Sequence, residues 1–196
     1  MAEFIYPYFR KLIVMRTKIF LLILLLTLTS DAVPQTGIFK TDEGKIAFRS
    51  DAPLEIIKAA SGKLSGLIDE GKRTFAFKLT VRTFEGFNSV LQQIHFNENY
   101  LETDKFPDAT FLGKIIEPID FSKPGKTIIR AKGILKIHGI EQERIIKSEV
   151  TVLEHKIHIE SFFTVQLADH GIRIPKIVHE KIANEIKVNM TADLLP

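Results

Sequence analysis

The sequence predicts an all-β domain, either a closed antiparallel barrel or a sandwich, with one amphipathic helix laid over an end. Three observations lead there. After Ala32, apolar and polar residues alternate over much of the chain, the period of strands with one buried face. Turn-forming clusters divide these runs at the spacing of an antiparallel meander. A single segment exchanges the period of two for a helical one.

The elements follow in order. Asp42-Glu43-Gly44, Asp51-Ala52-Pro53, Asp69-Glu70-Gly71, Pro124-Gly125, His138-Gly139 and Glu154-His155 are the predicted turns. Between them, Thr74 to Val81 sets Phe75, Phe77, Leu79 and Val81 on one face, with Lys78 and Thr80 on the other. Ile129, Ala131, Leu135 and Ile137 form the inward row of the next clear strand. Ile157, Ile159, Phe163 and Val165 form another, and the chain closes on Ile186, Val188, Met190, Ala192 and Leu194. Phe87, Val90, Leu91 and Ile94 fall at helical spacing, so a helix is predicted from Asn88, as its cap, to about Glu98.

The stretch that follows holds four rings, Phe96, Tyr100, Phe106 and Phe111, among Asn, Glu, Asp, Lys and Pro. It is too charged for a buried strand and too aromatic for a solvated loop. Phe106 precedes Pro107 and is pushed towards an extended conformation, which ends the helix and leads into a strand from Ala109 to Ile116. Helix and loop together read as a cover over one end. A weaker break at Pro175 to Lys181 reads as a loop or one helical turn.

The N-terminus has a different character. Arg16 and Lys18 precede an apolar run from Ile19 to Leu28, and Ser30 and Ala32 place small residues where a signal peptidase reads. Residues 15–32 are therefore expected to be a signal peptide and residues 1–14 an upstream extension, with residues 33–196 forming the exported domain. The run is about half the roughly 20 residues a bilayer span requires. There is no cysteine, so the fold must hold by packing without disulfides. Beyond Ala32 the chain carries 23 basic and 22 acidic residues. So small an excess gives no footprint for nucleic acid.

No nucleophile elbow, phosphate loop or dinucleotide fingerprint is present. The six His residues lack metal-ligand spacing, and only His95, Tyr100 and His138 stand as candidates for any catalytic cluster. Neither an enzyme nor a metal site is expected. The composition does carry information: 15 Phe, no Trp, and small residues at Ala59, Ala60, Ser61, Gly62, Ser65, Gly66, Ala131 and Gly133. Such a wall suits a barrel of about eight strands, which either fills itself or holds a small ligand.

The run His95-Phe96-Asn97-Glu98-Asn99-Tyr100-Leu101-Glu102, continued by Lys105-Phe106-Pro107-Asp108-Ala109-Thr110-Phe111-Leu112-Gly113-Lys114-Ile115, resembles the signature of the YceI-like family of exported lipocalin-like proteins. Gly133 to Ile140 and His170 to Pro175 resemble it too, in the family's order from about Gly37 to Leu195. The resemblance implies an extended antiparallel lipocalin-like barrel around a long apolar tunnel, in which several members bind polyisoprenoid or isoprenoid-quinone chains. Many members carry an Arg shortly before the match to His170-Gly171-Ile172. Here Leu167-Ala168-Asp169 stands there, so a head-group preference does not carry over.

On this reading Phe75, Phe77, Leu79, Phe111, Ile115, Ile129, Leu135, Ile159 and Phe163 line the tunnel, while Val90, Leu91, Ile94, Phe96 and Tyr100 form its roof. The expected role is a soluble carrier or store, periplasmic or secreted, for an isoprenoid-type lipid. Its expected partners are that amphiphilic lipid, a membrane met in passing, and a second copy in a homodimer. No cofactor is expected beyond the lipid. The alternative is a non-catalytic interaction module with a filled barrel.

Overall fold

The computed structural model describes residues 37–196. The upstream extension and the signal peptide read in residues 1–32 lie outside the described residues. Eight strands form one antiparallel barrel that closes on itself in sequence order. They are β1 (Ile38–Asp51), β2 (Ile56–Asp69), β3 (Thr74–Thr80), β4 (Asp108–Ile115), β5 (Gly125–Ile137), β6 (Ile140–Val152), β7 (Ile157–Gln166) and β8 (Glu185–Leu194). Closure runs through β1 and β8, with Ala47 opposite Asn189 and Arg49 opposite Lys187. The barrel form resolves the choice between barrel and sandwich that alternation alone leaves open.

Five of the six predicted turns connect strands or open one. Asp42-Glu43-Gly44 does not: it lies within β1, where the register against β2 shifts between Thr41 and Gly44 and again before Ile46. Turn-forming residues here make a bulge in place of a hairpin, which bends a long strand around the barrel. A second device for curvature is Gly113 directly opposite Gly133. A Cβ on Gly113 would lie 2.1 Å from the Lys132 carbonyl oxygen and 2.5 Å from Gly133 Cα, so only glycine admits this crossing of β4 and β5.

One end, the base, carries the β2–β3, β4–β5 and β6–β7 connections. It is packed: Ile68, Phe121, Val152, Ile157 and Leu194 are all buried there, and the Phe121 ring meets Phe39 at 5.9 Å. The other end, the rim, carries the long β3–β4 and β7–β8 connections. Helix α1 (Val90–His95) stands there, capped by Ser89, whose hydroxyl accepts the Gln92 N–H at 3.2 Å. The cap is thus Ser89 and not Asn88. Gln92 Oε1 reaches back to the Asn88 N–H at 3.1 Å, close to a capping box that S-V-L-Q spells out. The predicted single helix to Glu98 gives way to a π-helical turn, Phe96–Tyr100, whose wider step rotates Phe96 and Tyr100 inward. Pro175–Lys181 holds a 3₁₀ turn, Lys176–Val178.

On the outer wall His158 donates to Asp193 at 2.6 Å and faces Glu160 at 3.0 Å. The bond to Asp193 raises its pKa above the ordinary 6.5, and the same bond lowers that of Asp193. A raised folded-state value means that the His158 contribution is fully present below about pH 6.5 and is lost as pH climbs through the raised value. The Tm of the wild type is therefore expected to fall relative to His158→Gln between about pH 6 and pH 9. Parallel pH dependences of the two Tm curves would refute this.

Candidate functional site

Strand alternation sends one row of side chains into the barrel from every strand; the rows pack together at the base and leave open space above it. Phe77, Phe111, Phe163 and Met190 face inward at mid-height, yet each is only half-buried, because the space in front of it is open. A cavity of about 620 Å³ occupies that space. This lies within the range of roughly 300–1,000 Å³ typical of sites that enclose small organic molecules. Small inward residues make the room: Ala109 and Ala131 border the cavity at positions where Leu or Phe would narrow it, and Gly66 lets the Phe77 ring lie flat against β2.

The wall is almost wholly hydrocarbon. Near the base it is Ile68, Phe75, Ile115, Ile129, Val150 and Ile159, with the Phe75 and Phe111 rings 4.8 Å apart. At mid-height one polar seam interrupts it, where the Ser148 and Ser161 hydroxyls share a buried hydrogen bond of 2.7 Å. Above that seam β6 and β7 part, and Arg144 spans the gap by donating to the Thr164 carbonyl at 2.8 Å. Under the rim, Phe48, Phe84, Phe87 and Phe96 form an aromatic cluster in which Phe48 and Phe96 stack at 5.4 Å.

The lumen opens at the rim. Of its lining residues, those exposed to solvent are Ser89, Leu91, His95 and Lys181, all at that end. Glu55 and Gln92, joined at 2.8 Å, and Tyr100 add polar groups to the mouth. Burial raises the pKa of Tyr100, so its phenol stays neutral. The base offers none of these and is sealed by Phe121 and its neighbours.

Phe75, Phe77, Leu79, Phe111, Ile115, Ile129, Leu135, Ile159 and Phe163 all border the cavity, as do Leu91, Phe96 and Tyr100 of the anticipated roof. Val90 and Ile94 do not: they are 75% and 41% exposed on the outer side of α1. Tethers explain this. Gln92 bonds Glu55 and Gln93 bonds the Phe84 carbonyl, which turns the polar face of α1 towards the barrel at that point and leaves Val90 and Ile94 outside. Phe106 also turns away, its ring 4.7 Å from His138. His138 bonds Glu102 and the His170 carbonyl and takes no part in the lumen wall, so it does not join His95 and Tyr100. Ser50, Phe84, Ser148, Ser161 and Lys181 are lining residues that sequence reasoning passed over. For Ser148 and Ser161, their inward parity within β6 and β7 was the available signal.

A closed eight-stranded barrel, sealed at the base and hollow above it, is a lipocalin-like container in architecture. A YceI-like domain model matches residues 27–194. The chain belongs to the YceI-like domain family. Among solved structures, a polyisoprenoid binding domain from Saccharophagus degradans, implicated in plant cell wall breakdown, superposes with a TM-score of 0.69 at 12% identity, covering 82% of this chain and 99% of that one. BcnA of Burkholderia cenocepacia gives 0.64 at 14% identity over 78% of this chain and 96% of its own. The Campylobacter jejuni YCEI protein gives 0.54 at 14% identity, covering 68% and 81%. No curated protein matches the sequence.

Proposed function

We propose that this protein is an exported, soluble carrier or store that holds the tail of an isoprenoid-type lipid in its lumen and does no chemistry on it. The observation that carries the reading is a long apolar cavity, closed at the base and open at the rim, that the protein's own side chains leave unfilled. Burying a methylene-sized group gains about 0.8 kcal/mol. A tail of about twenty carbons therefore gains on the order of 15 kcal/mol, against an association cost of roughly 4–15 kcal/mol. Only a long, enclosing channel offers so much surface. Branched tails suit its Phe-lined, nearly featureless wall, and the polar head would sit at the mouth among Glu55, Gln92, Tyr100 and Lys181.

Two facts support this reading. A structural relative is described as a polyisoprenoid binding domain. The leader-like residues before Val33 suit export to the periplasm or beyond, where envelope lipids are at hand. The deciding experiment expresses the full chain, purifies the folded protein and analyses an organic extract by mass spectrometry. Isoprenoid lipid approaching one molecule per chain is expected. Recovery of buffer components alone from a folded sample would favour an interaction module instead.

A further inference from the structure

A lipid that fills the lumen is insoluble and must come from, or return to, a membrane. The rim is built for that meeting. Three segments converge there: the β1–β2 turn, α1 with its lead-in, and the β7–β8 connection. Backbone and side-chain bonds tie them, Leu54 N–H to the Glu180 carbonyl at 2.8 Å, Asn88 to the Ile56 carbonyl at 2.9 Å, and Gln92 to Glu55. Each segment presents large apolar side chains to solvent: Leu54 is 67% exposed, Val90 75% and Ile177 91%. Each also borders the mouth, through Glu55, Leu91 and Val178 respectively.

Solvent-facing Leu, Val and Ile on three separate segments, grouped about one opening, form more than the scattered apolar residues any surface shows. The charges beside Ile177 are mainly positive, while Glu55 next to Leu54 is held by Gln92. From Arg173 to Lys181 the β7–β8 connection carries three cations, Arg173, Lys176 and Lys181, against one acid, Glu180, with Asp169 further back towards β7, and among the described residues none of the three cations forms an ion pair. Apolar tips flanked by free cations are the pattern of a surface that seats in the interfacial layer of an anionic membrane. We infer that the rim, through Leu54, Val90 and Ile177 with Arg173 and Lys176, docks on an anionic lipid bilayer and sets the mouth of the lumen against it. This rests on the carrier reading and adds the face by which the lipid passes.

The chain has no cysteine, so Val90→Cys, Ile177→Cys and, in the β6–β7 turn at the base, Glu154→Cys each accept one environment-sensitive fluorophore. The probes would be vesicles of phosphatidylethanolamine with phosphatidylglycerol and vesicles of phosphatidylcholine alone. Labels at 90 and 177 are expected to shift to the blue on the anionic vesicles and to be quenched by brominated lipid, while the label at 154 stays unmoved. Arg173→Gln combined with Lys176→Gln should weaken binding to the anionic vesicles by about tenfold, an effect that added salt reduces. No shift at 90 and 177, an equal shift at all three sites, or a shift at 154 alone would overturn the inference. So would a shift at 90 and 177 that rises with protein concentration without vesicles, since a second copy would then cover the rim. Val90 and Ile177 do not line the lumen, so an organic extract of the same variants reads lipid occupancy separately. Docking with an empty lumen would remove the carrier role, and a loaded lumen without docking would remove only the rim.

Discussion

Replacing Gly113 by valine is expected to leave almost no folded protein. The Cβ would meet the Lys132 carbonyl at 2.1 Å, the Lys132 carbonyl carbon at 2.8 Å and Gly133 Cα at 2.5 Å. All three are backbone atoms, so no rotamer relieves the contact and β4 must move away from β5. That movement breaks the pairing from Thr110–Lys136 to Ile115–Ala131, and with it the closure of the barrel. A loss above about 4 kcal/mol is expected, enough to unfold a domain of ordinary stability. Gly62→Ala is the matched control. Gly62 has nothing within 4 Å of its would-be Cβ, and alanine there should be neutral or stabilising by up to about 1 kcal/mol. Soluble yield and circular dichroism of the two variants check the contrast. A Gly113→Val protein that melts cooperatively near the wild-type Tm would show that β4 and β5 can separate locally without opening the barrel.

That crossing also marks where the sequence stops being legible. Alternation in Thr74–Val81, Ile129–Ile137 and Glu185–Leu194 states which residues face inward, because a period of two admits one assignment wherever one face is apolar. It cannot state how far apart the inward rows lie, since that distance depends on shear and curvature set by the bulge in β1 and the glycine pair. A hollow barrel and a filled one therefore spell nearly the same rows. Helix α1 shows a different limit. Helical spacing assigns its apolar residues to a buried face, but Gln92, Gln93 and Phe96 hold it down, and the rule fails where apolar residues stand at a rim. Phe106 is legible as a ring out of place in a solvated loop but not as the cover of His138, a pairing that joins residues 32 positions apart.

Filling the lumen is expected to separate lipid binding from stability. Ala109 faces inward near the rim opposite Leu79, and Ala131 faces inward near the base opposite Ile115 and Ile146. Both border the cavity. Ala109→Phe with Ala131→Leu adds hydrocarbon at each end of the tail's path while the outer wall is untouched. Truncations such as Leu79→Ala cannot decide the matter, since they lower stability by a few kcal/mol whether the interior is filled or hollow. Additions respond in opposite ways. In a filled core each would force neighbours off their rotamers at about 1–3 kcal/mol per site. For a domain of this size the pair would then lower Tm by roughly 5 °C or more. In a hollow barrel the new side chains enter open space and gain apolar contact, so Tm should stay within roughly 3 °C of the wild type or rise. The lipid recovered per chain should meanwhile fall at least about fivefold, because the enclosed apolar surface that drives retention is shortened at both ends. Thermal melts and extract mass spectrometry on one preparation read both quantities. A large drop in Tm with lipid content unchanged would mean that whatever the protein holds lies outside this lumen.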